Sequence, residues 1–339
     1  MAALLVSHRF NAERGGDLVR AAREAGYPLR VIALPADRET RLPEEICAQI
    51  DSGFFSGDVF PDFSRQFFSA ARKAPNLKWL HIFNVGVDHP IYTEMLERGV
   101  RLTTSSGSTA EPIAQTAVTG LLMLARNFPR WLEAQRRHAW EPMRMPNFPA
   151  DLRGQTALVM GLGHIGKEIA RLARALGLHV IGVRRSGPRA NDPIDELHAP
   201  GELHDLLPRA HWLIIACPLT PETRGLIGAA ALARLPKGAR IINIARGEVV
   251  DESALIAALR SGHIGGAYLD VFEQEPLPAD SPLWDMPNVI VTPHNSPAAS
   301  GNDQRDYEIF VENLSRWSRG EPLLNEVRQT SSGENLWRK

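Results

Sequence analysis

Three residues far apart in the chain carry side chains that together could reduce a ketone: Arg246 in "NIARGEVVD", Glu275 in "LDVFEQEPLP" and His294 in "VTPHNSP". Reducing a 2-keto acid needs a cation for the carboxylate and a proton donor beside the ketone oxygen. Arg246 can hold the carboxylate in a bidentate grip and help polarise the ketone. His294 can supply the proton while a hydride arrives from a cofactor. Glu275 beside that imidazole would fix its orientation and stabilise its charged form. Taken singly, each has an ordinary alternative: a surface ion-pair partner, a solvated acid near proline, a structural histidine. The 11 histidines show no metal-ligand spacing and "NIARG" lacks a serine-nucleophile pattern, so hydrolase chemistry has little support.

A hydride source is written in "TALVMGLGHIGKEIARLARALG" (156–177). A strand-like run leads into Gly161-x-Gly163-x-x-Gly166, and a helix-like run follows. Gly161 suits a tight turn, Gly163 the close approach of backbone to a pyrophosphate, and Gly166 close helix–strand packing. Leu162, His164 and Ile165 complete the loop, whose pyrophosphate would meet backbone N–H groups at the helix start. The next apolar run ends in "VIGVRRSG" (180–187), where such folds usually carry an acid for the adenosine ribose. Arg184, Arg185 and Ser186 stand there instead. Guanidinium forks and a hydroxyl suit a phosphate dianion, so the position favours NADP(H), with NAD(H) as the alternative. A solvated surface pair is the plainer reading of the two arginines.

These residues need a scaffold, and strand-like runs alternate with helix-like runs along most of the chain. The first series has strands at 2–6, 29–34 and 77–83 and a helix at 16–26; the Phe-rich stretch 54–68 shows no clear period. A long apolar-faced helix covers 111–127, and the Pro-rich 140–154 reads as a crossing between domains. The second series has strands at 156–160, 178–183, 212–216, 239–245, 266–271 and 288–292, with helices at 167–177 and 251–262. An amphipathic helix at 303–320 suggests a return to the first domain. The alternation predicts an α/β fold with parallel sheets.

At 339 residues the chain has room for two domains. Hydrophobic residues make up 44% and charged residues 23%, ordinary for a globular protein. A net charge of −1 gives no reason to expect nucleic acid or an anionic membrane as a partner. Cys47 and Cys217 cannot build a disulfide framework, and neither a secretory leader nor a membrane-spanning run is visible. A cytoplasmic protein is expected.

From about 154 to 295 the chain resembles the D-isomer-specific 2-hydroxyacid dehydrogenases, and within them the glyoxylate/hydroxypyruvate reductase-like members. The resemblance rests on "GLGHIG", "CPLTPETRGLIG", "LPKGARIINIARGEVVDESALIAAL" and "GAYLDVFEQEPLPADSPLWDMPNVIVTPH", in that order. It implies two Rossmann/flavodoxin-like doubly wound domains with the active site in the cleft between them. Residues 1–104 and 296–339 would bind substrate, and 105–295 would bind NAD(P). The family's Arg, Glu and His fall on Arg246, Glu275 and His294. The resemblance further implies that Asp270 contacts the nicotinamide carboxamide, and that Cys217, Pro218 and Thr223 line the adenosine half. Ile244 and Ala245 would also touch the cofactor. "FNVGVDH" (83–89) looks like the family's substrate loop, with the N–H groups of Val85 and Gly86 facing the carboxylate. "RRHAW" (136–140) matches a segment the family uses for homodimer contacts, and Trp140 would approach the partner; a core tryptophan is an equally good reading. Gln115 and the "NSPAAS" run (295–300) depart from the family pattern, the second beside the proton donor.

The implied function is NADPH-dependent reduction of a small 2-keto acid to the D-2-hydroxy acid. The alternatives are an NADH-dependent dehydrogenase of a bulkier 2-hydroxy acid and a non-catalytic, NAD(P)-sensing corepressor-like protein. Fold alone does not separate these. An intact Arg246, Glu275 and His294 argues for catalysis, because a binding module needs no proton donor.

Overall fold

Strands buried on both faces need apolar residues at successive positions, and crossover helices supply the cover. The computed structural model describes residues 2–24, 26–87, 89–329 and 335–337. They fall into two compact units, Met1–Ser108 with Ala299–Lys339, and Thr109–Ala298. Each is built on its own parallel sheet.

In the first unit the strands are β1 (Ala2–Val6), β2 (Leu29–Ala33), β3 (Ser52–Phe55), β4 (Trp79–Ile82) and β5 (Arg101–Thr104). Their order is β2-β1-β3-β4-β5, all parallel, the flavodoxin-like arrangement. The helices α1 (Gly16–Glu24), α2 (Ser64–Arg72) and α3 (Pro90–Glu97) connect them. β3 lies at the start of the Phe-rich stretch that showed no period. The reason is that both its faces are core: Phe54 packs with Phe10 and Trp79, while Phe55 packs with Phe67 and Phe68.

The second unit opens with α4 (Ala110–Ala125) and α5 (Phe128–Arg136). Its strands are β6 (Thr156–Met160), β7 (His179–Val183), β8 (Glu196–His198), β9 (Trp212–Ile215), β10 (Ala239–Asn243), β11 (Ile264–Leu269) and β12 (Val289–Val291). The order β12-β11-β10-β9-β6-β7-β8 is the Rossmann order extended by one strand. α6 (His164–Ala175) follows β6, and α7 (Ala229–Arg234) and α8 (Glu252–Arg260) pack later in the series. β8 escaped the sequence because it is a three-residue edge strand, half-buried throughout and starting on a charged Glu196. α4 sits close on β11 through Gly120, where a Cβ would fall 2.4 Å from the Tyr268 ring.

The last long helix, α9 (Asn302–Ser318), packs in the first unit. Phe310 stacks on Phe54 at 4.3 Å and lies 5.7 Å from Trp79, contacts that typically add about 0.5–1.5 kcal/mol each beyond area burial. One turn earlier, Asp306 is 4% exposed. Burial pushes its carboxyl from the ordinary 3.8 up to about 6, although the hydroxyls of Ser108 and Ser105 act the other way. A raised folded value contributes stability that is present below pH 4 and lost as pH rises through 6. Asp306→Asn should therefore stabilise the protein by about 3 kcal/mol at pH 8 and by nothing near pH 4, measured by urea unfolding at both pH values. An equal effect at the two pH values would contradict it.

Candidate active site

The loops leaving β6, β7, β9, β10, β11 and β12 all emerge at the carboxyl edge of the seven-stranded sheet, and the expected residues of this unit lie on them or in the first turn of the helix after β6. After β10, the buried Asn243 holds its own loop. Its Oδ1 accepts the Ala245 N–H at 3.1 Å and its Nδ2 donates to the Arg246 carbonyl at 3.1 Å. Arg246 Nη1 donates to the Ala245 carbonyl at 2.7 Å. The next residue, Gly247, is pressed against the loop after β11: a Cβ there would lie 1.9 Å from the Phe272 carbonyl carbon. Glycine is required at that contact, and it brings the Arg246 loop against the chain leading to Glu275.

Glu275 and His294 meet directly. Glu275 Oε1 accepts the Phe272 N–H at 3.1 Å, and Oε2 accepts from His294 Nδ1 at 2.7 Å. With Nδ1 engaged, Nε2 is the nitrogen left to serve a reacting atom. The imidazole and carboxylate side chains are 42% and 36% exposed, so a ligand can reach them.

His294 has a left-handed backbone, φ 50°, that few non-glycine residues adopt. Asp270 pins it there. The His294 N–H donates to the Asp270 carbonyl at 2.8 Å. The fully buried Asp270 carboxylate accepts from Thr292 Oγ1 at 2.6 Å, Asn295 N at 3.0 Å and Ser296 N at 3.1 Å. Thr292 Oγ1 in turn lies 2.7 Å from the Tyr268 hydroxyl, whose pKa burial pushes up to about 12. Asp270, expected at the nicotinamide, is thus also the brace of the loop that carries His294. "NSPAAS" enters the same brace through Asn295 and Ser296. Asn243, Tyr268 and Thr292 were not singled out in the sequence; a polar residue closing the apolar run "ARIIN" was the available signal for the first.

The glycine loop is closely packed at two of its three glycines and open at the third. At Gly161, φ 93°, a Cβ would sit 2.7 Å from the Ala216 carbonyl oxygen, and at Gly166 one would sit 1.8 Å from that of Gly161. At Gly163 a Cβ would meet nothing within 4 Å. Gly163 is also the N-cap of α6 and supplies no side-chain cap to the helix N–H groups. Backbone N–H groups at a helix start are a general feature of anion-binding loops. Leu162, Ile165, Ile244 and Ala245 are packing residues of the hydrophobic core beneath the glycine loop. His164 opens α6, and the Cys217 thiol is pushed up to about 11 by burial. Thr223 accepts the Thr220 N–H at 2.7 Å and donates to the Pro218 carbonyl at 2.8 Å, closing the loop after Cys217.

The two arginines after β7 are separated. Arg184 is buried and grips Asp192, whereas Arg185 is exposed, as is Ser186. The two members of the expected pair thus differ in exposure and in partner. In the first unit, Val85 and Gly86 lie half-buried in the loop after β4, next to Asn84, whose Oδ1 accepts the Tyr92 hydroxyl at 2.9 Å. Asp88 of that stretch lies outside the described residues. Among the described residues, no group of His, Cys, Asp and Glu could hold a metal, and no helix is long and apolar enough to cross a membrane.

The family model for "D-isomer specific 2-hydroxyacid dehydrogenase, NAD binding domain" matches residues 118–296, over half the chain. The chain belongs to this family. A glyoxylate reductase of Korarchaeum cryptofilum is 36% identical over 76% of this chain and 77% of its own length. A D-isomer specific 2-hydroxyacid dehydrogenase of Xanthobacter autotrophicus Py2, solved with NADPH and MES, superposes with a TM-score of 0.73 at 34% identity, covering 96% and 98% of the two chains. The NADPH-dependent glyoxylate/hydroxypyruvate reductase of Sinorhizobium meliloti, solved with NADP and sulfate, gives 0.71 at 29% identity over 95% and 96%.

In this dehydrogenase the brace at Asp270 can be tested without any ligand. Asp270→Asn replaces an acceptor by an amide donor and strands one buried backbone N–H. It should cost about 2 kcal/mol of unfolding free energy in urea titration. A variant as stable as wild type would show that the loop does not depend on Asp270.

Proposed function

We propose that the protein reduces a small 2-keto acid of the glyoxylate or hydroxypyruvate class to the D-2-hydroxy acid, with NADPH as reductant. The observation that carries this is the 2.7 Å His294–Glu275 pair, held at the same sheet edge as Arg246 and the glycine loop. A nicotinamide held by the glycine loop would supply the hydride that the ketone carbon needs. Arg246 neutralises the substrate carboxylate and polarises the ketone. His294 donates the proton from Nε2 to the ketone oxygen as its C=O bond becomes C–O–H, while Glu275 holds the ring and balances its charge. NADPH and a proton are consumed and NADP+ is released. Arg185 and Ser186, exposed where the adenosine ribose would lie, suit the 2′-phosphate. The relatives solved with NADPH and NADP support that choice. Cys47 and Cys217 are both unpaired, which fits a reducing compartment such as the cytoplasm.

Initial rates with glyoxylate and hydroxypyruvate, compared for NADPH and NADH, test the reading. Turnover should favour NADPH, and His294→Ala should lower kcat by about 10²–10⁴ while leaving cofactor affinity in place. Absence of turnover with either cofactor would remove the catalytic reading and leave a nucleotide-sensing protein.

The second unit also exposes apolar side chains around α5 and the stretch after it: Phe128, Leu132, Trp140, Met145 and Phe148, with Trp140 at 95%. Trp140 is therefore not a core tryptophan within one chain. Such a band is what a homodimer would cover. Sedimentation equilibrium should give a dimer that Trp140→Glu combined with Met145→Glu splits into monomers; a monomeric wild type would refute it.

A further inference from the structure

One carboxylate closes the loop after β7. Asp192, its side chain 6% exposed, pairs with Arg184 through both oxygens, accepts from Lys167 Nζ at 2.7 Å and takes the Arg189 N–H at 2.9 Å. Arg184 also donates through Nε to the Ser186 carbonyl at 3.0 Å and through Nη2 to the Gly187 carbonyl at 2.5 Å. Four of its five N–H groups are thus engaged inside the loop. A phosphate would have to break that arrangement to be gripped by Arg184. Lys167 stands in the first turn of α6, the helix the glycine loop opens. Asp192 therefore ties the helix beneath the pyrophosphate to the loop on the adenosine side.

We propose that Asp192 is a positioning residue for 2′-phosphate recognition: its clasp on Arg184 and Lys167 fixes the turn that presents Arg185, Ser186 and Arg189. This rests on the NADPH reading above. Arg185, Ser186 and Arg189 are all exposed on that turn. Beneath them, two cations against one acid leave a net positive charge, which favours a dianion further. A loop already held in shape loses less freedom on binding than one that must first be ordered. Burial opposes the charge on Asp192, but the Arg184, Lys167 and Arg189 donors outweigh it and hold the acid well below the ordinary carboxylate range. The clasp therefore stays ionised throughout the pH range in which the enzyme would work.

The test is calorimetric titration of the full chain with 2′,5′-ADP and with 5′-AMP, which differ by the 2′-phosphate alone. Wild type should prefer 2′,5′-ADP, and Asp192→Asn should lower that preference by about tenfold. Arg184→Lys, which keeps the charge and loses the fork, should lower it similarly, and it serves as the readout if Asp192→Asn does not fold. A preference unchanged in these variants overturns the clasp. A preference raised in Asp192→Asn, as expected if the acid merely cancels useful positive charge, also overturns it. A wild type that does not discriminate between the two nucleotides removes the NADPH reading itself, so the two failures are distinguishable.

Discussion

Parallel strands deliver every following loop to the same edge of their sheet, and the second unit depends on that constraint. Gly161, Arg246, Glu275 and His294 are far apart in sequence, yet each stands just after a strand whose neighbours run the same way. The reversal of order between β6 and β9 opens the crevice at that edge and places the glycine loop in it. Side chains at the opposite edge have no such meeting place. The chemistry is confined before any one residue is chosen.

Charge burial then decides which groups are held fast and which stay open to solvent. Asp270 and Asp192 lie almost out of solvent, and each is surrounded by donors that fill its lone pairs. Such groups are fixed in place because leaving a donor unpaired is costly. Glu275 and His294 are partly exposed and share a single contact with each other. That leaves the outer imidazole nitrogen for a reacting partner. Acidic side chains of one type are thus buried braces in one place and solvent-accessible partners of a histidine in another.

The sequence reveals most of the frame. The glycine motif, the strands from β6 onward other than β8, and the amphipathic run of α9 are visible because each is a local pattern: a turn requirement, an apolar run, a helical period. β3 hides because Phe54 and Phe55 are buried on opposite faces, so no alternation marks it. β8 hides because a half-buried edge strand can carry charge. At the site, the types of Arg246, Glu275 and His294 are legible, and their contact distance is not. The different fates of Arg184 and Arg185 are illegible, since adjacent identical residues give no sign of which one turns inward. That is decided by Asp192, eight positions beyond Arg184, through a turn with no repeating pattern.

The first unit is interrupted: its sheet is made from residues before Ser108, while Phe310, stacked on Phe54 and close to Trp79, comes from beyond Ala299. During synthesis the five strands of that unit leave the ribosome long before the aromatic ring that covers one of their faces. The inserted unit, made from one unbroken stretch, has all its own strands and helices first. Order of synthesis is therefore the reverse of order of completion. Until α9 arrives, the nascent chain lacks the ring that covers Phe54 and Trp79.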